Sequence, residues 1–90
     1  MWRAKVIVSL KPVVNDPPGI TIHGALRTLG FAGVQSVRSG KYFEIGLDAP
    51  DEDAARNQVE TMCKQLLANP VIEDYRFTLE RTEGPPPFGP

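Results

Sequence analysis

Residues Trp2 to Lys11 alternate without a break. Trp2, Ala4, Val6, Val8 and Leu10 fall on one face, and Arg3, Lys5, Ile7, Ser9 and Lys11 on the other. A period of two puts successive side chains on opposite faces of a strand, so this run reads as a half-buried β-strand. A strand with one apolar face needs a sheet and a layer over it. The remaining pattern supplies both. Ile22, Ala25, Leu26 and Leu29 sit at i, i+3, i+4 and i+7, an apolar helix stripe within about 18–29 that the pattern directs to a core. Asp16 is placed to cap that helix and Gly30 to stop it in a left-handed conformation.

Val34 to Val37 reads as a short second strand, with Arg38-Ser39-Gly40-Lys41 as a tight turn into a third. In that third strand Phe43, Ile45 and Leu47 alternate with Tyr42, Glu44 and Gly46. Asp51, Glu52 and Asp53 suit the positive end of a second helix, whose stripe is Ala55, Val59, Met62, Cys63, Leu66 and Leu67. Asn69-Pro70 ends it, and Tyr75, Phe77 and Leu79 mark a fourth strand. The order β-α-β-β-α-β predicts an α+β, ferredoxin-like fold, a four-stranded antiparallel sheet with two helices on one face. Residues 1–81 form one such domain. Residues 82–90 hold Gly-Pro-Pro-Pro-Phe-Gly-Pro, a proline-rich tail expected to be flexible.

Ninety residues support one modest core but no deep multi-pocket cleft. The net charge of −1 leaves no electrostatic footprint for nucleic acid or for an anionic membrane. No apolar run is long enough to span a bilayer, and the first residues lead directly into a strand rather than a signal peptide, so a cytoplasmic protein is expected. One cysteine, Cys63, excludes an intrachain disulfide and a multi-thiolate metal site. One histidine, His23, has no second ligand at metal spacing and no serine at a nucleophile turn. Asp48, Asp51, Glu52 and Asp53 match no calcium loop and serve the helix terminus. Neither GxGxxG nor GxxxxGK[ST] occurs, and the proline-rich first loop with Asp16 is a poor cradle for phosphate. An RNA-recognition sheet would pair two outward aromatics on its third strand, where this chain has Tyr42 and Glu44. Neither a catalytic nor a metal site is expected. A binding or assembly domain remains, and Arg38, Gly40, Lys41 and Tyr42 concentrate basic and aromatic groups that suit an interface.

Three segments carry a resemblance. Met62 to Tyr75, with Asn69-Pro70-Val71-Ile72-Glu73-Asp74-Tyr75 at its end, resembles the closing part of the PurS family. Val34 to Glu44 is similar to that family's central hairpin, and Val8-Ser9-Leu10-Lys11 with Asp16-Pro17 and Gly19 to its first strand and loop. Together they span about residues 3 to 80, in order and with compatible spacing. Pro18, the His23-Gly24 pair and the tail depart from the family pattern. The resemblance implies the small, non-catalytic subunit of phosphoribosylformylglycinamidine synthase. It implies a glutaminase subunit and a large synthetase subunit as partners, with the small subunit bridging them and assisting ammonia transfer. ATP and magnesium would be used by the synthetase, and this chain would hold no cofactor. Arg38, Lys41, Tyr42, Glu44, Asn69 and Asp74 are the candidate contacts to a partner or to a second protomer. A homo-oligomer, dimer or tetramer, is expected because the sheet has an uncovered face and free edges. The alternative reading of the same fold is a small-molecule-sensing regulatory domain with its ligand at a dimer interface.

Overall fold

The computed structural model describes residues 1–84; the proline-rich stretch beyond Gly84, the larger part of the expected tail, lies outside the described residues. The elements are β1 (Trp2–Leu10), α1 (Pro17–Thr28), β2 (Gly40–Leu47), α2 (Glu52–Met62) and β3 (Glu73–Arg81). A single π-helical turn, Cys63–Leu67, prolongs α2. The sheet is antiparallel in the order β2-β1-β3. Register follows the alternation. Val6 faces Phe43 on one side and Phe77 on the other, and Ala4 faces Ile45 and Leu79. Directly opposed residues share a face, so these side chains form one inner surface.

α2 lies over β1 and β3 on that surface. Asp51 caps it, its carboxylate accepting from Ala54 N at 2.8 Å. Ala55, Val59 and Cys63 are fully buried against Ala4, Val6 and Val8. Tyr75 Oη donates to Glu60 at 2.9 Å, and the Arg56 guanidinium sits 5.9 Å from the Phe77 ring centre. The π turn changes which residues reach the core. Its wider loop, closed by Ala68 N donating to Cys63 O at 3.0 Å, brings Leu67 and Ala68 inward. Leu66, expected on the buried stripe, is 82% exposed. An i→i+5 turn holds one more residue than an α turn, which shifts the residues after it round the helix, and no periodicity of 3.6 anticipates it.

Two further expectations are corrected. Among the described residues the sheet has three strands, not the four expected. Residues 34–37 carry no regular secondary structure and pair with no described strand, and Gly40 and Lys41, expected in a turn, already belong to β2. And only α2 covers the sheet. α1 leaves Ile20, Ile22 and Leu29 exposed, with Gly19 its one buried residue. The sequence signals at its ends do hold. Asp16 caps it through Gly19 N at 3.1 Å, and Gly30 has φ of 101°, a conformation costly for any residue with a Cβ. The helix then runs out and back. Phe31 N donates to Leu26 O and Val34 N to Phe31 O, and residues 34–37 return alongside α1. His23 Nε2 donates to Val34 O at 3.0 Å, and Gly19 packs so closely on the Val37 carbonyl that a Cβ would sit 2.6 Å from it. Helix and returning segment thus make an arm, residues 17–37, that stands off the sheet. The radius of gyration of 16.6 Å reflects it; a compact domain of this length has roughly 12 Å.

The burial pattern separates two truncations to alanine. Val59→Ala is expected to destabilise by about 2–3 kcal/mol, since it removes two buried methyl groups and leaves a void. Leu66→Ala is expected to stay within about 0.5 kcal/mol of wild type, as exposed positions do. Urea denaturation of both variants checks this; equal losses would place Leu66 in the core after all.

Candidate functional site

The candidate contact residues divide between two neighbouring places. At the end of the sheet where β1 finishes and β2 begins, Asp16 is buried and binds both ends of the arm. Its carboxylate accepts from Gly19 N at the start of α1 and, beyond residue 37, from Ser39 N and Ser39 Oγ, both at 2.7 Å. Arg38 stands 4.0 Å from the same carboxylate. Its guanidinium donates to the carbonyls of Leu10, Lys11 and Val14, so it spans the loop from β1 to α1. Arg38 is therefore occupied within its own chain.

Lys41 lies on the inner face and pairs with Glu73 across β1, Nζ to Oε2 at 3.3 Å. Glu73 also accepts from Asn69 N at 2.7 Å, and Asn69 Oδ1 accepts from Val71 N at 3.0 Å, which shapes the turn into β3. Asp74 is exposed and opposite Ser9, beside an open depression lined by Ser9, Leu10, Pro12, Arg38 and Asp74. Arg38, Lys41, Asn69 and Asp74, scattered over 37 positions of sequence, thus gather at one end of the sheet.

Tyr42 and Glu44 lie on the outer face, along β2. Tyr42 is 54% exposed, and its hydroxyl donates to Glu44 Oε1 at 2.8 Å. That bond to a carboxylate raises the tyrosine pKa, because it is lost on ionisation. In register beside them stand Ile7 and Lys5 of β1, then Arg76 and Thr78 of β3. At the far end Arg3 and Lys5 pair with Glu80. This outer face is an amphipathic, charge-mixed plane with no layer over it. His23 is bound to the arm's own backbone, and Cys63 is buried, which pushes its thiol pKa up and away from the reactive thiolate.

Sequence reasoning missed Ser39 and the dual role of Asp16. The Asp16 cap was legible from local spacing, but the Ser39 contact joins residues 23 apart in sequence, and no local pattern signals it. The Ser39 N–H bond is the largest influence on Asp16, followed by the Ser39 hydroxyl and Gly19 N; together they hold its pKa below the ordinary 3.8 despite burial. A carboxylate with a depressed folded-state pKa stabilises the fold above its unfolded value and loses that contribution as pH falls through the folded one. The melting-temperature gap between wild type and Asp16→Asn is thus expected to be full above about pH 5 and to close below pH 3.8. A gap that is the same at pH 3 and pH 7 would show that the carboxylate charge contributes nothing.

The comparisons with known proteins agree with the geometry. Residues 3–81 match the family described as PurS, phosphoribosylformylglycinamidine (FGAM) synthase. The phosphoribosylformylglycinamidine synthase subunit PurS of a Synechocystis species is 48% identical over 83 residues, 92% of this chain and 83% of that protein. The crystal structure of Methanocaldococcus jannaschii PurS, one of the subunits of formylglycinamide ribonucleotide amidotransferase in the purine biosynthetic pathway, superposes with a TM-score of 0.83. It shares 44% identity and covers 92% of this chain and 100% of its own. A chain in the structure of PurLQS from Thermotoga maritima superposes with a TM-score of 0.80 at 31% identity, over 89% of this chain and 99% of its own. With the match unbroken through every element from β1 to β3, this chain belongs to the PurS family of phosphoribosylformylglycinamidine synthase.

Proposed function

We propose that the chain is the small, non-catalytic subunit of a phosphoribosylformylglycinamidine synthase, acting in purine biosynthesis in the cytoplasm. The observation that carries this reading is the family match over residues 3–81, supported by the likeness to a chain of the Thermotoga maritima PurLQS structure. In this reading the subunit bridges a glutaminase and a large synthetase and assists the passage of ammonia between them. The synthetase uses ATP and magnesium to activate formylglycinamide ribonucleotide. This chain supplies surface rather than chemistry, works as a homo-oligomer, and binds neither nucleic acid nor membrane. Among the described residues, no helix is long and apolar enough to cross a membrane.

The physics favours a bridging subunit. Ammonia released into bulk water at neutral pH is protonated and ceases to be a nucleophile. Holding the two active sites together keeps it neutral and makes its capture effectively intramolecular. The surface assigned to this task is the outer face of β2 with the adjoining sheet end. Tyr42 and Glu44 are exposed and mutually bonded, so they meet a partner as a preformed pair with little entropy to lose. Lys41, Asn69 and Asp74 continue the contact, and Arg38 backs it by fixing the loop from β1 to α1.

Reconstitution with the glutaminase and synthetase subunits tests the assignment. Tyr42→Ala with Glu44→Ala is expected to leave stability within about 0.5 kcal/mol and to weaken assembly about tenfold or more. Glutamine-dependent turnover should fall with it. Turnover fed by ammonium salt should fall less, because that route bypasses transfer. Normal assembly and full glutamine-dependent turnover by the double variant would remove these residues from the interface. Failure of the wild-type chain to enter the complex would overturn the functional reading itself.

A further inference from the structure

β3 ends the sheet on the side away from β2, and among the described residues no strand lies beyond it. The direction of its backbone groups follows from its two ends. Lys11 N donates to Ile72 O and Thr82 N to Met1 O, both at 2.9 Å, so the even-numbered residues of β3 turn their amides to β1. The odd-numbered residues, Tyr75, Phe77, Leu79 and Arg81, turn theirs outward. Such an edge recruits another strand unless proline, a bulge or repelling charges blunt it. The run from Tyr75 to Arg81 holds no proline and no glycine, and its register against β1 is unbroken.

Its charges are self-complementary. Laid antiparallel on itself about Thr78, the run Tyr75-Arg76-Phe77-Thr78-Leu79-Glu80-Arg81 sets Tyr75 against Arg81, Arg76 against Glu80, Phe77 against Leu79 and Thr78 against Thr78. A cation on a ring, opposite charges, an aromatic on an aliphatic chain and a pair of hydroxyls are the cross-strand pairs that favour a sheet. Neighbouring registers fail. Centred on Arg76 or on Glu80 the run opposes a charge to itself, and centred on Phe77 it sets Asp74 against Glu80. Centred on Leu79 it gives Arg76 no acid, and centred on Tyr75 it carries Glu80 into the turn at Pro70.

The sheet already holds half of each row. On the outer face Arg3 and Lys5 bind Glu80 from the β1 side. Arg76 is exposed and, among the described residues, forms no ion pair. On the inner face the Arg81 guanidinium lies 5.6 Å from the Trp2 ring centre, a row that Tyr75 of a second copy would continue. A groove of about 500 Å³ beside the edge, lined by Arg56, Asn57, Glu60, Tyr75, Arg76 and Phe77, leaves room for the incoming arginine. The Glu60 carboxylate, bound to the Tyr75 hydroxyl, stands there to meet it.

We propose that two copies of this chain join their β3 strands, antiparallel and in register about Thr78, into one continuous sheet. The outward amides of Phe77 pair with those of Leu79 of the other copy, and those of Tyr75 with Arg81. A two-fold axis through the Thr78 pair makes every contact twice and leaves neither β3 edge open. Tyr42 and Glu44, on the opposite margin of the sheet, stay free for the partner subunits.

The proposal rests on the homo-oligomer reading above and names one of its contacts. Thr78 is exposed, and this register opposes it to itself in a non-hydrogen-bonded pair, with Cα atoms about 4.5 Å apart, a span that a disulfide bridges. Thr78→Cys is therefore expected to cross-link into a dimer on mild oxidation, while the wild-type chain, whose Cys63 is buried, does not. Adding Arg76→Glu sets carboxylates against each other twice and should cut the cross-linking about tenfold. Adding Glu80→Lys instead sets cations against each other and should do the same. An equimolar mixture of these two double variants should regain it, because each glutamate then meets a cation. Circular dichroism checks that each variant folds; should the Glu80→Lys chain not fold, having lost its pairs with Arg3 and Lys5, the other two variants decide alone. Absence of cross-linking by Thr78→Cys, or cross-linking that Arg76→Glu leaves unchanged, overturns the strand pairing. Sedimentation of the wild-type chain separates that failure from the failure of the broader reading: an oligomer leaves the homo-oligomer standing on another surface, and a monomer overturns both.

Discussion

A single buried carboxylate organises the protein. Asp16 accepts hydrogen bonds from Gly19 N, Ser39 N and Ser39 Oγ, and those donors stand at the two ends of the arm. A carboxylate shut away from water is costly unless its acceptor capacity is filled, so the three donors and the nearby Arg38 compensate one another. Arg38 in turn draws the Leu10, Lys11 and Val14 carbonyls together. Where the arm leaves the sheet, and at what angle, follows from this one cluster. Charge is thus used here to aim an element, while apolar burial holds the sheet and α2 together.

That division explains why the core is small. Its fully buried members are short side chains, Ala4, Val6, Val8, Ala55, Val59 and Cys63, stacked between one helix and the middle of a three-stranded sheet. The larger apolar residues, Phe43, Ile45, Tyr75, Phe77 and Leu79, are only partly covered around it. A domain that leaves so much apolar surface at its margins gains by burying it against other chains. A subunit of an enzyme complex has the same need, since it meets other chains.

The outer face shows the other half of the design. Arg3 and Lys5 with Glu80, and Tyr42 with Glu44, tile β2, β1 and β3 with paired polar groups. Each exposed ion pair adds little to stability. Together they tie the exposed side chains of that face to one another. Glu73 and Glu80, like Asp16, have their pKa values lowered, by Asn69 N and by Arg3 respectively as the leading influences. Protonation of these carboxylates therefore weakens the arm's anchor and the ordering of both sheet margins as pH falls.

The sequence alone determined the strands β1, β2 and β3, the start and stop of α1 and the cap of α2. Those features rest on local physics: period-two alternation, an Asp three residues before a free N–H, a Gly able to adopt positive φ, and the mutual spacing of side chains. The resemblance in three in-register segments carried the family. Two things were decided only by the tertiary structure. The π turn at Cys63 turned Leu66 outward and Ala68 inward, through one backbone bond that no side chain announces. And the pairing of Asp16 with Ser39 and Arg38 holds the chain where it enters β2 at Gly40, and among the described residues the expected hairpin, the fourth strand and the docking of α1 do not form. An apolar stripe specifies that a helix must be covered. It carries no information on which chain provides the cover, because that depends on where the ends of the helix are held.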